Sequence, residues 1–448
     1  MAIDPDFKDN QREEIELEKN SKKNVRTLKR IIDQLIYPNA YTIVRAKDFN
    51  QRLKSYFHKS KVMEFTEFRS GQKIALVAIW EFEDLRTDIS HLLQELKSRD
   101  FYIVLVNNGT INASSIPNTV AVYIERFNYG MDFGCYKDGI QYLRKGKKLE
   151  NAEKLLILND SVYYLQDFIG NGLDLILKSD LDAVGFTENF DYTHHLGSFS
   201  ILFSKKVLNS HKFIAFWVKF RKSNIRTKNI RYGELKLSEE VRKSIPPQKF
   251  GAIWGVSKIS TSVEKPEQLH SALLLVNRGL ISTWKKLSWQ FISKSLLEER
   301  LVFPFDMSKR GDSIIQHTNS GKVNDLHFEY VDNYDDVLRI LSKFASGTRS
   351  AELENEVFIR AKGFWVGVVS SGSGIHQNNN LLVSFGCPLV KLDLIYRGAF
   401  KYEDAERMFM QISNQVDKDL IRNILYSRAY GGDVLHGWKR AAFNRGLI

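Results

Sequence analysis

Strand-sized apolar runs alternate with longer stretches of helical periodicity between residues 73 and 217, and this alternation sets the fold class. KIALVAIW (73–80), FYIVLVNN (101–108), TVAVYIE (119–125) and EKLLILND (153–160) have the near-continuous apolar character of strands buried on both faces. Helical stretches over Leu85–Ser98 and Gly134–Leu143 separate them. The pattern predicts a doubly wound α/β fold, a mostly parallel sheet covered by helices. Upstream, Val25, Leu28, Ile32 and Leu35 form one apolar stripe in a helical segment over 15–60, with Pro38 as its stop. Downstream, KFIAFWVKF (212–220) is amphipathic, GELKLSEEVRKSI (233–245) reads as a helix, and Pro246–Pro247 breaks the chain. Residues 280–370 mix helix and strand signals. SSGSGIHQNNN (370–380) marks a turn-rich junction, and Tyr402–Tyr430 reads as a last helical segment. The expected organisation is an N-terminal helical segment (1–70), a central α/β domain (71–265) and a mixed, largely helical C-terminal region (266–448).

Open α/β sheets bind ligands off the carboxyl ends of their strands. That rule selects Trp80–Asp84, Asn107–Thr110 and Asn159–Ser161, three polar stretches that each directly follow an apolar run. A fourth stretch, RFNYGMDFGCYKDGIQYL (126–143), carries Gly130, Gly134 and Gly139 around a loop that runs into a helix. Backbone amides at such a turn can approach a diphosphate, and a purely conformational use of the glycines is an equal reading. The spacing matches neither G-x-G-x-x-G nor a P-loop with its lysine. Asn159-Asp160-Ser161 sets one carboxylate between an amide and a hydroxyl at the sheet edge. Hard oxygen ligands there suit Mg²⁺ or Mn²⁺ on a nucleotide diphosphate. The commoner use of N-D-S is an Asx turn closing the strand.

The net charge of +12 asks for a polyanionic partner, whether nucleic acid, an anionic membrane or a phosphorylated substrate. Much of the charge lies in two runs, Lys19–Arg30 and Lys219–Arg231. Either run can be a solvated face or a membrane-surface contact. An RNA-binding signature of interleaved aromatic and basic residues is absent. No window supplies the ~18–20 apolar residues that cross a bilayer. The polar opening MAIDPDFKDNQREE is not expected to act as a signal peptide. Cys135 and Cys387 are far apart and outside any metal-ligand spacing, so two free thiols are expected. His194-His195 reads as an exposed pair, Trp217 as core, and no G-x-S-x-G surrounds Ser198.

NYGMDFGCYKDGIQYL followed by ILNDSVYY resembles the N-Y-G-x-D-x-G and N-D-S elements of the rhamnan synthesis protein F family. DAVGFTENFDYTHHLGSFSILFSKKVLNSHKFIAFW (182–217), GELKLSEEV (233–241) and CPLVKLDLI (387–395) are similar to its later blocks, in the same order. Cys135, Tyr136 and Tyr163-Tyr164 depart from the family pattern, and 280–370 looks inserted. The resemblance implies a glycosyltransferase of the GT-A type that moves a sugar, rhamnose from a dTDP donor, onto a lipid-linked surface polysaccharide. It would work in the cytoplasm at the inner face of a bacterial membrane, in peripheral contact with anionic lipid and without nucleic acid.

The resemblance also implies roles. Asn107 and Asn108 would hold the base or ribose, and Asn128, Gly130 and Asp132 would approach the diphosphate-sugar. Asn159 and Ser161 would flank Asp160, the ligand of Mg²⁺ or Mn²⁺. Glu234, at the first turn of a helix facing the acceptor, would be the general base of an inverting displacement, with Glu239 and Glu240 in reserve. The reading from another class is a non-catalytic membrane- or nucleic-acid-binding protein on a degenerate α/β domain.

Overall fold

A computed structural model describes residues 39–275, 289, 333–344, 351–370, 372–427, 435 and 437–448. Its centre is an eight-stranded, mostly parallel sheet. In chain order the strands are β1 (Lys61–Glu64), β2 (Lys73–Ile79), β3 (Phe101–Asn107), β4 (Val122–Glu125), β5 (Lys154–Asn159), β6 (Val162–Tyr164), β7 (Ala183–Gly185), β8 (Glu188–Asn189), β9 (His195–Leu196), β10 (Ser200–Ser204), β11 (Phe250–Ala252) and β12 (Leu389–Lys391). Across the sheet the order is β1-β4-β3-β2-β5-β10-β7-β11. β4, β3, β2 and β5 run parallel, and β1 and β10 are antiparallel to their neighbours. The helices that matter below are α1 (39–57), α2 (Thr87–Ser98), α3 (Met131–Lys145), α4 (Gln166–Lys178), α5 (Lys205–Leu208), α6 (His211–Lys219), α7 (Arg226–Asn229) and α8 (Lys236–Arg242).

Strand alternation explains why both faces are covered. On β2, Ala75, Val77 and Ile79 join the core under α2 and α4, while Ile74, Leu76 and Ala78 join the core under α3, α6 and α8. Each fully buried Leu or Ile on these faces contributes ~1.5–3 kcal/mol relative to exposure. Helix α3 lies directly on β2, because a Cβ at Gly139 would stand 2.3 Å from Leu76 Cδ1. Gly134 and Gly139 are thus inside α3, and of the three glycines only Gly130 shapes the loop.

The C-terminal region closes onto this sheet. β12 pairs antiparallel with β6, setting Lys391 opposite Val162 and Leu389 opposite Tyr164. Trp365, Leu381 and Leu382 extend the α2/α4 core, and helices over Tyr402–Phe409 and Gln415–Ser427 pack around Tyr163 and Leu165. Buried Asp417 accepts hydrogen bonds from Tyr163 Oη (2.8 Å) and the Gln166 amide (2.7 Å). The helical segment expected over Tyr402–Tyr430 is built of these two helices, with 428–430 outside the described residues. Helix α1 falls within the predicted helical segment. The Val25–Leu35 stripe, the Lys19–Arg30 run and most of 280–370 lie outside the described residues. Both cysteines are buried free thiols, Trp217 is core, and no described helix is long and apolar enough to cross a membrane.

Candidate active site

The three polar strand ends meet at one edge because β3, β2 and β5 are parallel neighbours. Against that edge lies a cleft of about 1030 Å³, lined by Trp80, Asn108, Asn128, Asp132, Asp160, Ser161, His195, Ser198, Glu234 and, from the far end of the chain, His376, Lys391, Asp393 and Arg397. Two of the sequence-predicted residues build its floor without lining it. Asn107 is fully buried. Its Nδ2 donates to Glu81 O (3.0 Å) and Tyr123 Oη (3.1 Å), and its Oδ1 accepts from the amides of Glu81 (3.1 Å) and Gly109 (2.8 Å). It clamps the loop after β2 and has nothing left to offer a ligand. Asn159 is buried too. Its Oδ1 accepts from Ser161 N (3.1 Å) and Oγ (2.6 Å), an Asx turn, and its Nδ2 donates to Asp132 Oδ2 (2.9 Å). The N-D-S turn and the N-Y-G-x-D turn are thereby bolted together.

Gly130 has φ +97° at the entrance to α3, a left-handed conformation that a side chain would strain, and a Cβ there would meet Lys222 Cβ at 2.8 Å. Its amide donates to Asn224 Oδ1 (2.6 Å), so it shapes the turn and leaves ligand contact to Asn128 and Asp132. Asp132 opens α3, where the helix's positive end favours anions, and its Oδ1 accepts from Phe133 N (2.9 Å). Burial dominates over that bond and pushes its carboxyl up to about 6, with Glu234 and Asp160 adding to the rise and Lys391 opposing it. Asp160 is raised by burial as well, although Arg86 pulls it down. Its Oδ2 accepts from Trp80 N at 2.6 Å.

The glutamate expected at a helix start is not at one. α7, a π-helical turn over Ile230–Leu235, and α8 form one unbroken helical run, and Glu234 lies within the π turn. Gly233 does not break the run. It is the point where the run touches the Phe133 ring, which would stand 2.9 Å from a Cβ at that position. What orients Glu234 is a hydrogen bond from Ser198 N to Oε1 (2.9 Å), in place of a helix dipole. A π turn re-aims one side chain relative to α-helical spacing, and such turns recur at functional sites. Glu239 and Glu240 sit outside the cleft, in ion pairs with Lys236 and Lys243.

Several residues that line or brace the cleft escaped sequence reasoning. Arg126, nearly buried, donates to Asp138 Oδ2 (2.7 Å), to Asn108 Oδ1 and to Tyr129 O, holding the end of β3 against the start of α3. Arg86 donates to Asp160 O (3.1 Å) and Val162 O (2.6 Å) and fixes the N-D-S turn from behind. His195, expected to be exposed, is buried at the cleft wall with Nδ1 2.7 Å from Thr193 O. Arg226 and Arg397 share Asp393 at 3.2 and 2.7 Å. Arg226 is the one basic residue of the Lys219–Arg231 run that lines the cleft, and Lys222 is tied to Asp138, so the run is not a uniform basic face. Lys219, Arg221 and Lys228 instead line a second cavity of about 840 Å³ with Arg45, Arg52 and Lys212.

Among the described residues no group of three or more His, Cys, Asp or Glu side chains is arranged to hold a metal. Asp160 offers one carboxylate, which suits a Mg²⁺-type ion completed by phosphate oxygens and water and not a closed protein cage.

Over 173 residues the chain is 30% identical to "Uncharacterized protein y4gN" of Sinorhizobium fredii, covering 37% of this chain and 45% of that protein. Over 152 residues it is 28% identical to "Virulence protein VirA" of Vibrio anguillarum, covering 33% of this chain and 48% of that protein. The matched segments thus span a little under half the length of these relatives. Residues 103–245, which carry most of β3, the N-Y-G-x-D and N-D-S turns and Glu234, match the rhamnan synthesis protein F family.

Proposed function

We propose that the chain is a glycosyltransferase of polysaccharide synthesis that takes a sugar, rhamnose in the first instance, from a nucleotide diphosphate donor such as dTDP-rhamnose. The observation that carries this reading is the convergence of Asn108, Asn128, Asp132, Asp160, Ser161 and Glu234 on one cleft at the carboxyl edge of a parallel sheet, within the segment that matches a polysaccharide-synthesis family. The acceptor is a lipid-linked glycan at the cytoplasmic face of the membrane, and the GT-A class fits the sheet and the polar strand ends. The second, basic cavity supports peripheral contact with anionic lipid.

The chemistry needs three things from the protein. The donor diphosphate must be held at the edge of β2, β3 and β5, where the positive end of α3 meets the N-D-S turn. A divalent cation on Asp160 would supply charge neutralisation to that diphosphate. The acceptor hydroxyl must lose its proton as its oxygen attacks the sugar carbon, and Glu234, fixed by Ser198 N, is the carboxylate that takes it. One displacement of this kind inverts the anomeric configuration and requires no enzyme nucleophile. Trp80, 54% exposed at the rim, offers a ring face to the base.

A panel of nucleotide sugars tested by thermal shift separates this reading from a non-catalytic one, because a donor that binds only folded protein raises the midpoint. Glu234→Gln keeps an oxygen for Ser198 N and removes the proton acceptor. Donor binding should survive while turnover falls by about 10²–10⁴. Near-normal turnover in that variant would take the base role from Glu234, and a product of retained configuration would overturn the single displacement.

A further inference from the structure

Lys391 is the least expected residue in the cleft. It ends the buried strand β12, is 8% exposed, and lines the cleft beside Ser161. Its Nζ donates to Ser161 Oγ at 3.1 Å and stands 4.9 Å from the centroid of the Phe199 ring. Among the described residues no carboxylate lies within ion-pair distance of it. The acid nearest in sequence, Asp393, is already shared between Arg226 and Arg397. This wall of the cleft therefore carries three cations against one carboxylate. Lysine is almost never buried without a partner, because a desolvated ammonium is costly. That cost shows here as a downward pull by burial on the Lys391 ammonium, which the more distant carboxylates of Asp393, Glu234 and Asp132 oppose. A hydroxyl and a ring face soften the cost without cancelling the charge.

We propose that the missing partner is the ligand: Lys391 binds the phosphate oxygens of the donor and receives the charge that develops on them as the sugar departs. The identity of the ligand rests on the transferase reading above, and the anion site does not. When the sugar–oxygen bond breaks, its electron pair goes to the outer phosphate oxygen, and the acceptor's proton goes to Glu234. The new glycosidic bond and a free nucleoside diphosphate complete the balance. A preformed ammonium at the oxygen that gains charge stabilises that step without reorganisation. Ser161 acquires a matching role, since its hydroxyl holds the ammonium in place. Sequence and fold join here, because β12 brings Lys391 to the N-D-S turn by pairing with β6.

The test uses the full chain, inorganic pyrophosphate and the variants Lys391→Met and Lys391→Arg. Wild type should be stabilised by pyrophosphate in a thermal-shift titration, Lys391→Met should bind it at least about tenfold more weakly, and Lys391→Arg should retain most of the affinity. Without ligand, Lys391→Met should melt no lower than wild type, since it removes a buried charge that no ion pair compensates. A structural lysine predicts the opposite, a lower melting point with unchanged pyrophosphate affinity, and that result overturns the proposal. Equal binding by wild type and Lys391→Met overturns it too, leaving the transferase reading intact. Lysine-dependent pyrophosphate binding, with no response to any nucleotide sugar, supports the anion site while removing the donor reading.

Discussion

Asp132 couples the chemistry of the cleft to the stability of the fold. Burial raises its carboxyl from the ordinary 3.8 to about 6, a difference of ~3 kcal/mol between its two protonation states. The sign follows from proton occupancy. Between pH 4 and 6 the native state holds a proton that the unfolded chain has released, so stability falls as pH rises through that window. The cost is complete above the folded value and absent below the unfolded one. Asp132→Asn has no proton to lose, and it therefore escapes this cost. It forfeits one of two accepted hydrogen bonds, because Oδ1 takes Phe133 N and Oδ2 takes Asn159 Nδ2 while asparagine has a single oxygen. That loss is about 1 kcal/mol and independent of pH. The variant should thus be less stable than wild type by about 0.5 kcal/mol at pH 4 and more stable by about 2 kcal/mol at pH 7.5, crossing over between them. Thermal melts of both proteins in matched buffers across this range read the difference directly. A wild-type-minus-variant difference that stays constant from pH 4 to 7.5 refutes the reasoning.

Three further outcomes are expected. Asp160→Asn should abolish most turnover and make nucleoside diphosphate binding insensitive to Mg²⁺ or Mn²⁺; full wild-type activity in excess EDTA would remove the metal from Asp160. Arg126→Met should lower stability by roughly 1–3 kcal/mol, because it leaves Asn108 Oδ1 and Tyr129 O without their donor while Lys222 still pairs with Asp138; a urea midpoint close to wild type would show the bolt between β3 and α3 to be dispensable. Replacing Lys219, Arg221 and Lys228 by Gln should release the protein from acidic vesicles, at ~1 kcal/mol per residue, with the wild-type contact weakening as salt rises. Equal binding of wild type to neutral and acidic vesicles would discard the lipid contact.

The sheet was legible because β2, β3 and β5 are buried on both faces, so their runs are apolar throughout and their polar ends stand out. The link between Asp132 and Asn159 was not legible as a contact, only as two motifs in the right order. Glu234 shows how a local signal misleads. Gly233 before a helical pattern looks like a helix start, whereas the glycine is there to admit the Phe133 ring and the helix runs through it. His195 misled in the opposite way, since the polar residues around it suggest solvent and β9 carries it inward. Lys391 and Asp393 lie in the CPLVKLDLI block that resembles the family, but that resemblance gave neither them nor Arg397 a place in the site. Their location depends on β12 finding β6, a pairing between two three-residue strands that leaves no mark in local periodicity.

That pairing also fixes when the site can exist. Ser161 and Lys391, in contact at the cleft, are 230 residues apart in the chain. At a synthesis rate of about 5–20 residues per second, some 10–45 s pass on the ribosome between the two. During that interval the parallel strands, Asp132, Arg226 and Glu234 have all been made, and Lys391 and Arg397 have not. A nascent chain can fold its sheet early and still lack two of the three cations of its cleft, so a phosphorylated ligand meets its full counter-charge only once β12 has emerged.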